Sequence, residues 1–266
     1  MQSEQANIIP LVEGNKTINT TCAYCGVGCG VKAVVDDENR RLVTIQGDEQ
    51  HPANYGRLCS KGSSLGETLS LEGRLLTPRI NGKPTSWPTA VDKVAQEFKR
   101  MIAKYGRESV AFYVSGQILT EDYYVANKLM KGYIGTANID TNSRLCMSSA
   151  VAGYKRAFGA DTVPASYDDF DHADLIVLVG SNTAWCHPIL FQRIKAAKVQ
   201  RPQLKVVVID PRETATHEIA DLHLPLKAGT DVLLFNALLV KLAERQVLDP
   251  QYIAQYTVDF DKAFAS

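Results

Sequence analysis

The sequence lacks a net charge, a long apolar run and an export signal, and each absence excludes a class of function. Its 266 residues hold 29 Lys and Arg against 29 Asp and Glu, so no overall field attracts nucleic acid or an anionic membrane. No apolar run approaches the roughly 20 residues that span a bilayer. The first twenty residues contain one Lys, no Arg and no apolar block, unlike a secretory or twin-arginine signal. We therefore expect a cytoplasmic protein without nucleic-acid or membrane partners.

The six cysteines are distributed unevenly along the chain. A disulfide framework is not expected in a chain without an export signal. Cys146 and Cys186 stand alone. The other four lie in the first quarter of the sequence, at Cys22, Cys25, Cys29 and Cys59.

The early cysteines have the spacing of a metal cluster. Three thiolates lie within the segment 22–29, whose glycines permit a sharp bend, and the fourth arrives from Cys59. A structural zinc site usually takes two ligands from each of two Cys-x-x-Cys pairs, so the division of three and one favours a [4Fe–4S] cluster, with zinc as the alternative. Lys61 follows closely and is either a solvated surface lysine or a contact to an anionic cofactor.

Residues 1–75 are predicted to form a small iron–sulfur domain. Gly30–Val35 and Leu42–Gln46 alternate as strands around the polar turn Asp36–Asn39, which predicts a β-hairpin beside the cysteine loop. The unit is too small for a large core, so bound metal is expected to help hold it together.

Residues 76–266 are predicted to form an α/β region. Continuous apolar strands that alternate with helices indicate a doubly wound parallel sheet, of the kind that binds dinucleotides. No closing element is evident before Ser266, so this region is expected to be truncated. The predicted strands are 110–114, 175–179 and 205–209, and the predicted helices are 87–105, 121–132, 148–158, 189–198 and 233–243.

Three motifs together resemble a known family. They are the Cys-x2-Cys-x3-Cys run from Cys22, the later Cys59-x-Lys61-Gly62, and the segment Asn142–Val151. In this order they resemble the bis-molybdopterin guanine dinucleotide oxidoreductases, a family that includes bacterial nitrate reductases and formate dehydrogenases. The resemblance implies two cofactors, a [4Fe–4S] cluster and Mo-bis(molybdopterin guanine dinucleotide).

The resemblance also implies roles for single residues. Lys61 would lie between the cluster and the pterin, Cys146 would ligate molybdenum, and Gln117 and Asn142 match cofactor-binding positions. Read alone, Cys146 would more often be an inert buried thiol. A following helix start and the neighbouring Arg144 favour its thiolate, which is the form that binds metal.

Polar loops after the predicted strands are similar to the family's guanine dinucleotide contacts. Loops at this edge of a doubly wound sheet bind ligands, and their small residues and amides can receive pyrophosphate oxygens. An acidic side chain can contact ribose or guanine, and an Arg can contact a phosphate. Taken singly, each loop is a weak signal. The expected contacts are Gly180, Ser181, Asn182, Asp210, Arg212, Gly229, Thr230 and Asp231.

Met147 distinguishes between members of the family. Formate dehydrogenases typically have His after the molybdenum cysteine, and Met cannot act as a base. The segments 146–151 and 153–159 look like those of nitrate reductases, and Asn138–Asn142 is similar to the assimilatory type. The implied reaction is reduction of nitrate to nitrite by oxygen-atom transfer, with electrons delivered through the cluster. Arg144 would either assist the anion or form a structural salt bridge.

Other functions remain open at this stage. The first alternative is a formate dehydrogenase of the same family. The second is a fragment that only carries electrons or is inactive, because family members are longer and the second pterin's main domain would follow Ser266. The electron donor is expected to be ferredoxin, flavodoxin or a flavoprotein reductase subunit.

The sequence assigns no site to the histidines. Adjacent side chains such as Cys186 and His187 rarely point to the same place, so this pair is assigned a structural role. The other four histidines show no ligand spacing with one another: His51, His172, His217 and His223.

Overall fold

The computed structural model describes residues 15–36, 38 and 41–265 of the chain. They divide into two compact units, 1–164 and 165–266, each described by itself. Most of the residues that argue against an export signal, and part of the predicted turn at 36–39, lie outside the described residues.

The first unit begins with a three-stranded antiparallel sheet. Its strands are β1 (Asn15–Thr21), β2 (Gly30–Asp36) and β3 (Arg41–Gly47), in the order β1-β2-β3. The predicted hairpin of β2 and β3 is confirmed, and β1 is an additional strand. Since β1 and β2 pair along their whole length, the segment Cys22–Cys29 is the loop that joins their ends.

The remainder of the first unit is helical, with two small sheets. A 3₁₀ helix spans Leu65–Leu69, another spans Arg107–Ser109, and a π-helix spans Lys128–Ile134. β6 and β7 pair in parallel, and β4 and β5 pair antiparallel. The elements are α1 (Ser60–Ser63), β4 (Arg79–Ile80), β5 (Lys83–Pro84), α2 (Trp87–Tyr105), β6 (Phe112–Val114), α3 (Thr120–Asn127), β7 (Ile139–Thr141), α4 (Ser143–Cys146) and α5 (Ser148–Phe158).

The long helix α2 follows from local signals. The Ser86 side chain caps it by accepting a hydrogen bond from the backbone N–H of Thr89, and Pro88 occupies the first turn, where its missing N–H costs nothing. Gly106 follows the last turn with φ 85°, a conformation that Gly adopts readily. The predicted helix, which closes at Tyr105 and Gly106, is confirmed.

The second unit contains a parallel sheet with α8 packed against it. The strand order is β10-β9-β8, with both pairs parallel. A 3₁₀ helix, Ala215–Ile219, connects β9 to β10. The elements are α6 (Asp169–His172), β8 (Leu175–Val179), α7 (Thr183–Cys186), α8 (Pro188–Gln200), β9 (Lys205–Ile209), β10 (Leu222–Leu224), α9 (Asp231–Glu244), α10 (Pro250–Tyr256) and α11 (Phe260–Ala265).

The core of the second unit lies between α8 and the sheet. Phe191 and Ile194 of α8 pack with apolar residues of β8 and β9, and Ile219 of the 3₁₀ helix joins them. Burial of such side chains contributes about 1.5–3 kcal/mol each. The buried cluster comprises Ile176, Phe191, Ile194, Ala197, Leu204, Val206, Val208 and Ile219.

The α/β class and the parallel pairing are confirmed. The described parallel strands are distributed over two sheets, one in each unit. The predicted helix 121–132 is α3 followed by the π-helix. Among the described helices, none combines the length and apolar character needed to cross a membrane.

Candidate functional site

The cysteine loop is bent by its own backbone. The N–H of Cys22 donates to the carbonyl of Cys29 at 2.9 Å, and the N–H of Gly28 donates to the carbonyl of Cys25 at 3.2 Å. Gly28 has φ +62°, in the left-handed region that favours glycine. Cys22 and Cys29 are buried. The bend therefore keeps three thiols within one short loop.

The fourth thiol converges on the same place. Cys59 precedes α1, and its Sγ accepts a hydrogen bond from the N–H of Gly62 at 3.4 Å. Burial, followed by the neighbouring charges of Cys22, Cys25 and Cys59, raises the pKa of the Cys29 thiol to about 11. Since all three other thiols act on Cys29, the structure brings the four predicted ligands together.

Asn54 connects the two parts of the cysteine set. Its side chain is 1% exposed. Its Oδ1 accepts from the N–H of Gly30 at 2.8 Å, and its Nδ2 donates to the carbonyls of Gly30 at 3.1 Å and Arg57 at 2.8 Å. Gly30 follows Cys29, and Arg57 lies two residues before Cys59. This clamp was not predicted, because the sequence around Asn54 contains no pattern that indicates it.

Close backbone packing holds the loop 48–57 against the sheet. A Cβ on Gly30 would lie 2.3 Å from the Cβ of His51. A Cβ on Gly47 would lie 2.0 Å from the carbonyl oxygen of Gly56. Real Cβ atoms do not approach so closely, so glycine is required at both positions.

The four thiols can serve either a [4Fe–4S] cubane or a single zinc ion, since both take four cysteine thiolates. Three of them lie in one loop and the fourth comes just before α1. This division of three and one favours the cluster, because zinc sites usually take two ligands from each of two Cys-x-x-Cys pairs.

Lys61 lies in α1 and contacts the loop that follows β6. Its Nζ donates to Oε1 of Gln117 at 3.0 Å and lies 5.7 Å from the centroid of the Tyr24 ring. Tyr24 lies between two of the cluster cysteines in sequence and was not predicted as a site residue. Lys61 and Gln117, which were predicted separately, are thus brought into contact.

Asn142 lies at the same edge of the β6–β7 sheet as Gln117. Because the two strands are parallel, the loops that follow them leave the sheet together. A Cβ on Gly116 would lie 2.5 Å from Oδ1 of Asn142, and the hydroxyl of Thr141 donates to that oxygen at 3.1 Å. The Asn142 side chain therefore occupies the space left by the missing side chain at position 116.

Cys146 presents an exposed thiol near this edge. It ends α4, its N–H donates to the carbonyl of Asn142 at 3.1 Å, and α5 begins two residues later, as predicted. Arg144 pairs with Asp140, with Nε and Oδ2 3.5 Å apart. The salt-bridge alternative for Arg144 is therefore present in the structure.

An open cavity of about 380 Å³ is lined by residues on both sides of Cys146 in the sequence. Two of its lining residues are cationic, Arg144 and Lys155, and one is acidic, Asp161. Such a surface can receive a small anion. The lining comprises Ser143, Arg144, Met147, Ser148, Val151, Lys155 and Asp161.

In the second unit, three loops follow three neighbouring parallel strands, so they meet at one edge of the sheet. Gly180 follows β8 with φ +56°, and its N–H donates to the carbonyl of Ile209 at 2.8 Å. The hydroxyls of Ser181 and Thr183 are 2.7 Å apart. Asn182 accepts a hydrogen bond from the buried Thr216 hydroxyl at 3.4 Å.

The other two loops are turns with local hydrogen bonds. Oδ1 of Asp210 accepts from the N–H of Arg212 at 3.0 Å, and the Arg212 side chain is exposed. Gly229 has φ +80°, with open space where a Cβ would lie. The Thr230 hydroxyl donates to the carbonyl of Lys227 at 2.7 Å, and Asp231 begins α9. Their contacts to a nucleotide remain predictions.

Comparison with known families assigns the two parts of the chain. The model described as "Molybdopterin oxidoreductase Fe4S4 domain" matches residues 15–70, which contain the four clustered cysteines. The model described as "Molybdopterin oxidoreductase" matches residues 74–250. The chain belongs to the molybdopterin oxidoreductase family. The predicted boundary between residues 75 and 76 remains a prediction.

Several relatives of this molybdopterin oxidoreductase chain are nitrate reductases. One from Klebsiella oxytoca is 60% identical over 224 residues, covering 84% of this chain and 26% of the relative. One from Shewanella frigidimarina is 52% identical, covering 92% of this chain and 26% of the relative. The solved structure of acetylene hydratase from Pelobacter acetylenicus is 25% identical in sequence with a TM-score of 0.73. The match covers 94% of this chain and 35% of that chain. The chain thus spans about a quarter to a third of the proteins it matches.

Two more distant relatives bear on the alternatives. A periplasmic nitrate reductase from Desulfovibrio desulfuricans is 42% identical, and the alignment covers 91% of this chain and 32% of the relative. The alpha subunit of an F420-dependent formate dehydrogenase from Methanocaldococcus jannaschii is 34% identical, and the alignment covers 93% of this chain and 36% of the relative. The nitrate reductases are the more similar group.

Proposed function

We propose that this chain forms the electron-entry part, and much of the molybdopterin site, of a nitrate reductase that reduces nitrate to nitrite. The observation that carries the proposal is the contact between Lys61 and Gln117. It connects α1, which directly follows Cys59, to the sheet edge where Asn142 lies, four residues before Cys146. The names of the relatives at 60% and 52% identity support nitrate as the substrate.

The described residues fit the two cofactors in different ways. Cys22, Cys25, Cys29 and Cys59 would hold a [4Fe–4S] cluster, and Cys146 would ligate molybdenum. When bound, the molybdenum–pterin group supplies the oxygen-atom transfer chemistry. Lys61, Gln117 and Asn142 would contact the pterin. The nucleotide would lie on the loops of the second unit, at Gly180, Ser181, Asn182, Asp210, Arg212, Gly229, Thr230 and Asp231.

The cavity lined by Arg144, Met147 and Lys155 supports an anionic substrate. Arg144 and Lys155 contribute positive charge to the cavity, and Arg144 would orient nitrate with its free N–H groups while Asp140 holds its Nε. Met147 offers no base for proton abstraction from formate. Nitrate is therefore preferred to formate, the alternative substrate.

The physiological setting is part of the proposal. The resemblance of Asn138–Asn142 to assimilatory enzymes supports nitrate assimilation in the cytoplasm, with ferredoxin, flavodoxin or a flavoprotein reductase as electron donor and no nucleic-acid or membrane partner. Fractionation of cells that express the native protein tests this. Activity released with the periplasmic fraction would contradict the assimilatory assignment.

Metal analysis tests the cofactor assignment. The purified chain should contain iron and acid-labile sulfide and give an EPR signal on reduction. Cys59→Ser should lose that signal, whereas Cys186→Ser, at an exposed cysteine outside the cluster, should keep it. Cys146→Ser should keep the iron signal and lose molybdenum. Iron without molybdenum in the unmodified chain would favour the electron-carrier alternative.

Substrate and coupling are tested with a viologen dye. Nitrate-dependent oxidation of the reduced dye should exceed formate-dependent reduction of the oxidised dye, and the reverse order would assign the chain to formate. Lys61→Met should lower nitrate turnover at least tenfold with iron content unchanged. Lys61→Arg, which keeps the charge, should recover part of that loss. Equal turnover in both variants would contradict a role for the Lys61 charge.

A further inference from the structure

The second unit brings together three metal-ligating side chains that lie apart in the sequence. One ligand atom each from Glu213, His217 and His223 lies within 4.8 Å of the other two. We propose that these residues bind a divalent transition-metal ion of the zinc type. This site is separate from the cysteine cluster and does not depend on the proposed nitrate reductase activity.

His223 has the hydrogen bonding of a metal ligand. It lies in β10, paired with Val208 of β9, so its backbone is fixed by the sheet. Its Nε2 is 2.9 Å from the backbone carbonyl oxygen of Asp210. A proton on Nε2 donates to that carbonyl and leaves the lone pair on Nδ1 for a metal. Metal-binding histidines usually have such a partner on the other ring nitrogen.

His217 is held by an anchored 3₁₀ helix. On one side of it, Thr216 is 0% exposed, and its hydroxyl accepts from the N–H of Ala184 at 3.1 Å. On the other side, Ile219 is part of the apolar core. The His217 ring lies 5.0 Å from the His223 ring, with an interplanar angle of 70°. Two imidazoles are therefore brought together, edge to face, by a 3₁₀ helix and a strand.

Glu213 supplies the negative charge. It lies in the loop after β9, its side chain is exposed, and within the described residues it enters no ion pair. The nearby acids differ in this respect, because Glu218 pairs with Lys195 and Asp221 pairs with Lys198. Glu213 can therefore turn towards a cation without breaking a salt bridge.

The donor set determines which ions fit. Two imidazole nitrogens and one carboxylate oxygen suit Zn²⁺, Co²⁺, Ni²⁺ and Cu²⁺, and they suit Mg²⁺ or Ca²⁺ poorly. Ligand atoms at about 2.1 Å from a tetrahedral zinc are about 3.4 Å apart, so small side-chain rotations close the group. Water would fill the fourth position. The ion would fasten the loop that carries Arg212 to β10.

Titration of the 266-residue chain with Co²⁺ tests the site. Cobalt bound by thiolates gives a strong near-ultraviolet charge-transfer band, whereas cobalt bound by nitrogen and oxygen gives only weaker visible bands. We expect one equivalent of cobalt bound by nitrogen and oxygen, and we expect Zn²⁺ to displace it. His217→Gln and Glu213→Gln should each weaken its binding at least tenfold. His172→Gln, at an exposed histidine in the same unit, should leave it unchanged.

The outcomes separate this site from the cluster. The thiolate band belongs to the cysteines and should be equal in every variant, with circular dichroism confirming that each is folded. Absence of nitrogen-bound cobalt, or unchanged affinity in His217→Gln, would overturn the proposal. Equal loss in His172→Gln would overturn it as well. Iron content, which tests the cluster, is independent of all three substitutions.

Discussion

Replacement of Asn54 by Leu would test the clamp between the two halves of the cysteine set. Leu has a similar size and makes none of the three side-chain hydrogen bonds. The Gly30 carbonyl would keep its bond from the N–H of Asp48, at 3.0 Å, but the buried Gly30 N–H would lose its partner. One unsatisfied buried donor costs about 1–3 kcal/mol, and two further bonds contribute about 1 kcal/mol each. The expected loss is therefore about 3–5 kcal/mol.

A loss of this size is large against the roughly 5–15 kcal/mol that stabilises an ordinary domain. Asn54→Leu should lower both the melting temperature and the iron content per purified chain. Asn54→Asp still accepts the hydrogen bond from Gly30 but cannot donate one, so its melting temperature and iron content should lie between those of the wild type and Asn54→Leu. Asn138→Leu is the control, because Asn138 is exposed and donates one hydrogen bond, to the Glu108 carbonyl. Wild-type melting and iron content in Asn54→Leu would refute the clamp.

Two further predictions concern packing and pH. Gly47→Ala should melt at a lower temperature than the wild type, because the new Cβ would lie 2.0 Å from the Gly56 carbonyl oxygen. Gly153→Ala, in an open position of α5, is the control and should gain up to about 1 kcal/mol in helix propensity. Equal melting temperatures of the two variants would contradict the close packing at Gly47. The hydrogen bond from Lys198 is the main cause that lowers the pKa of Asp221 to about 2. The stabilisation of the folded chain by ionised Asp221 is complete above the ordinary pKa of 3.8 and is lost as the pH falls towards 2. The melting temperature of Asp221→Asn should therefore be lower than that of the wild type at about pH 6, and the two melting temperatures should converge near pH 2. A difference in melting that persists at pH 2 would count against this linkage.

The elements that could be predicted are those with strong apolar patterns. β8 and β9 match the predicted bounds, α2 ends at Tyr105 as predicted, and α8 extends the prediction by a few residues, because apolar residues recur along these elements at strand or helix spacing. β1 was missed because its polar, mostly exposed side chains alternate weakly. β7 and β10 have three residues each, too few for a periodic signal.

The candidate site divides in the same way. The cysteine spacing and the loops after the strands were recognisable because their residues are close in sequence or follow regular elements. Asn54 was not, because its partners are defined only after the loop folds back on β2. His217 and His223 were judged to lack ligand spacing, and the 3₁₀ helix and β10 bring them together. Contacts between different elements cannot be derived from periodicity alone.

The interlock of Gly116 and Asn142 has a consequence for enzyme evolution and engineering. The backbone of Asn142 receives the Cys146 N–H, and its side chain occupies the space beside Gly116. Even Ala at position 116 would force the side-chain amide of Asn142 to rotate away from its present place, while the backbone bond to Cys146 need not change. Variation at this glycine would therefore act first on the amide that is proposed to contact the pterin.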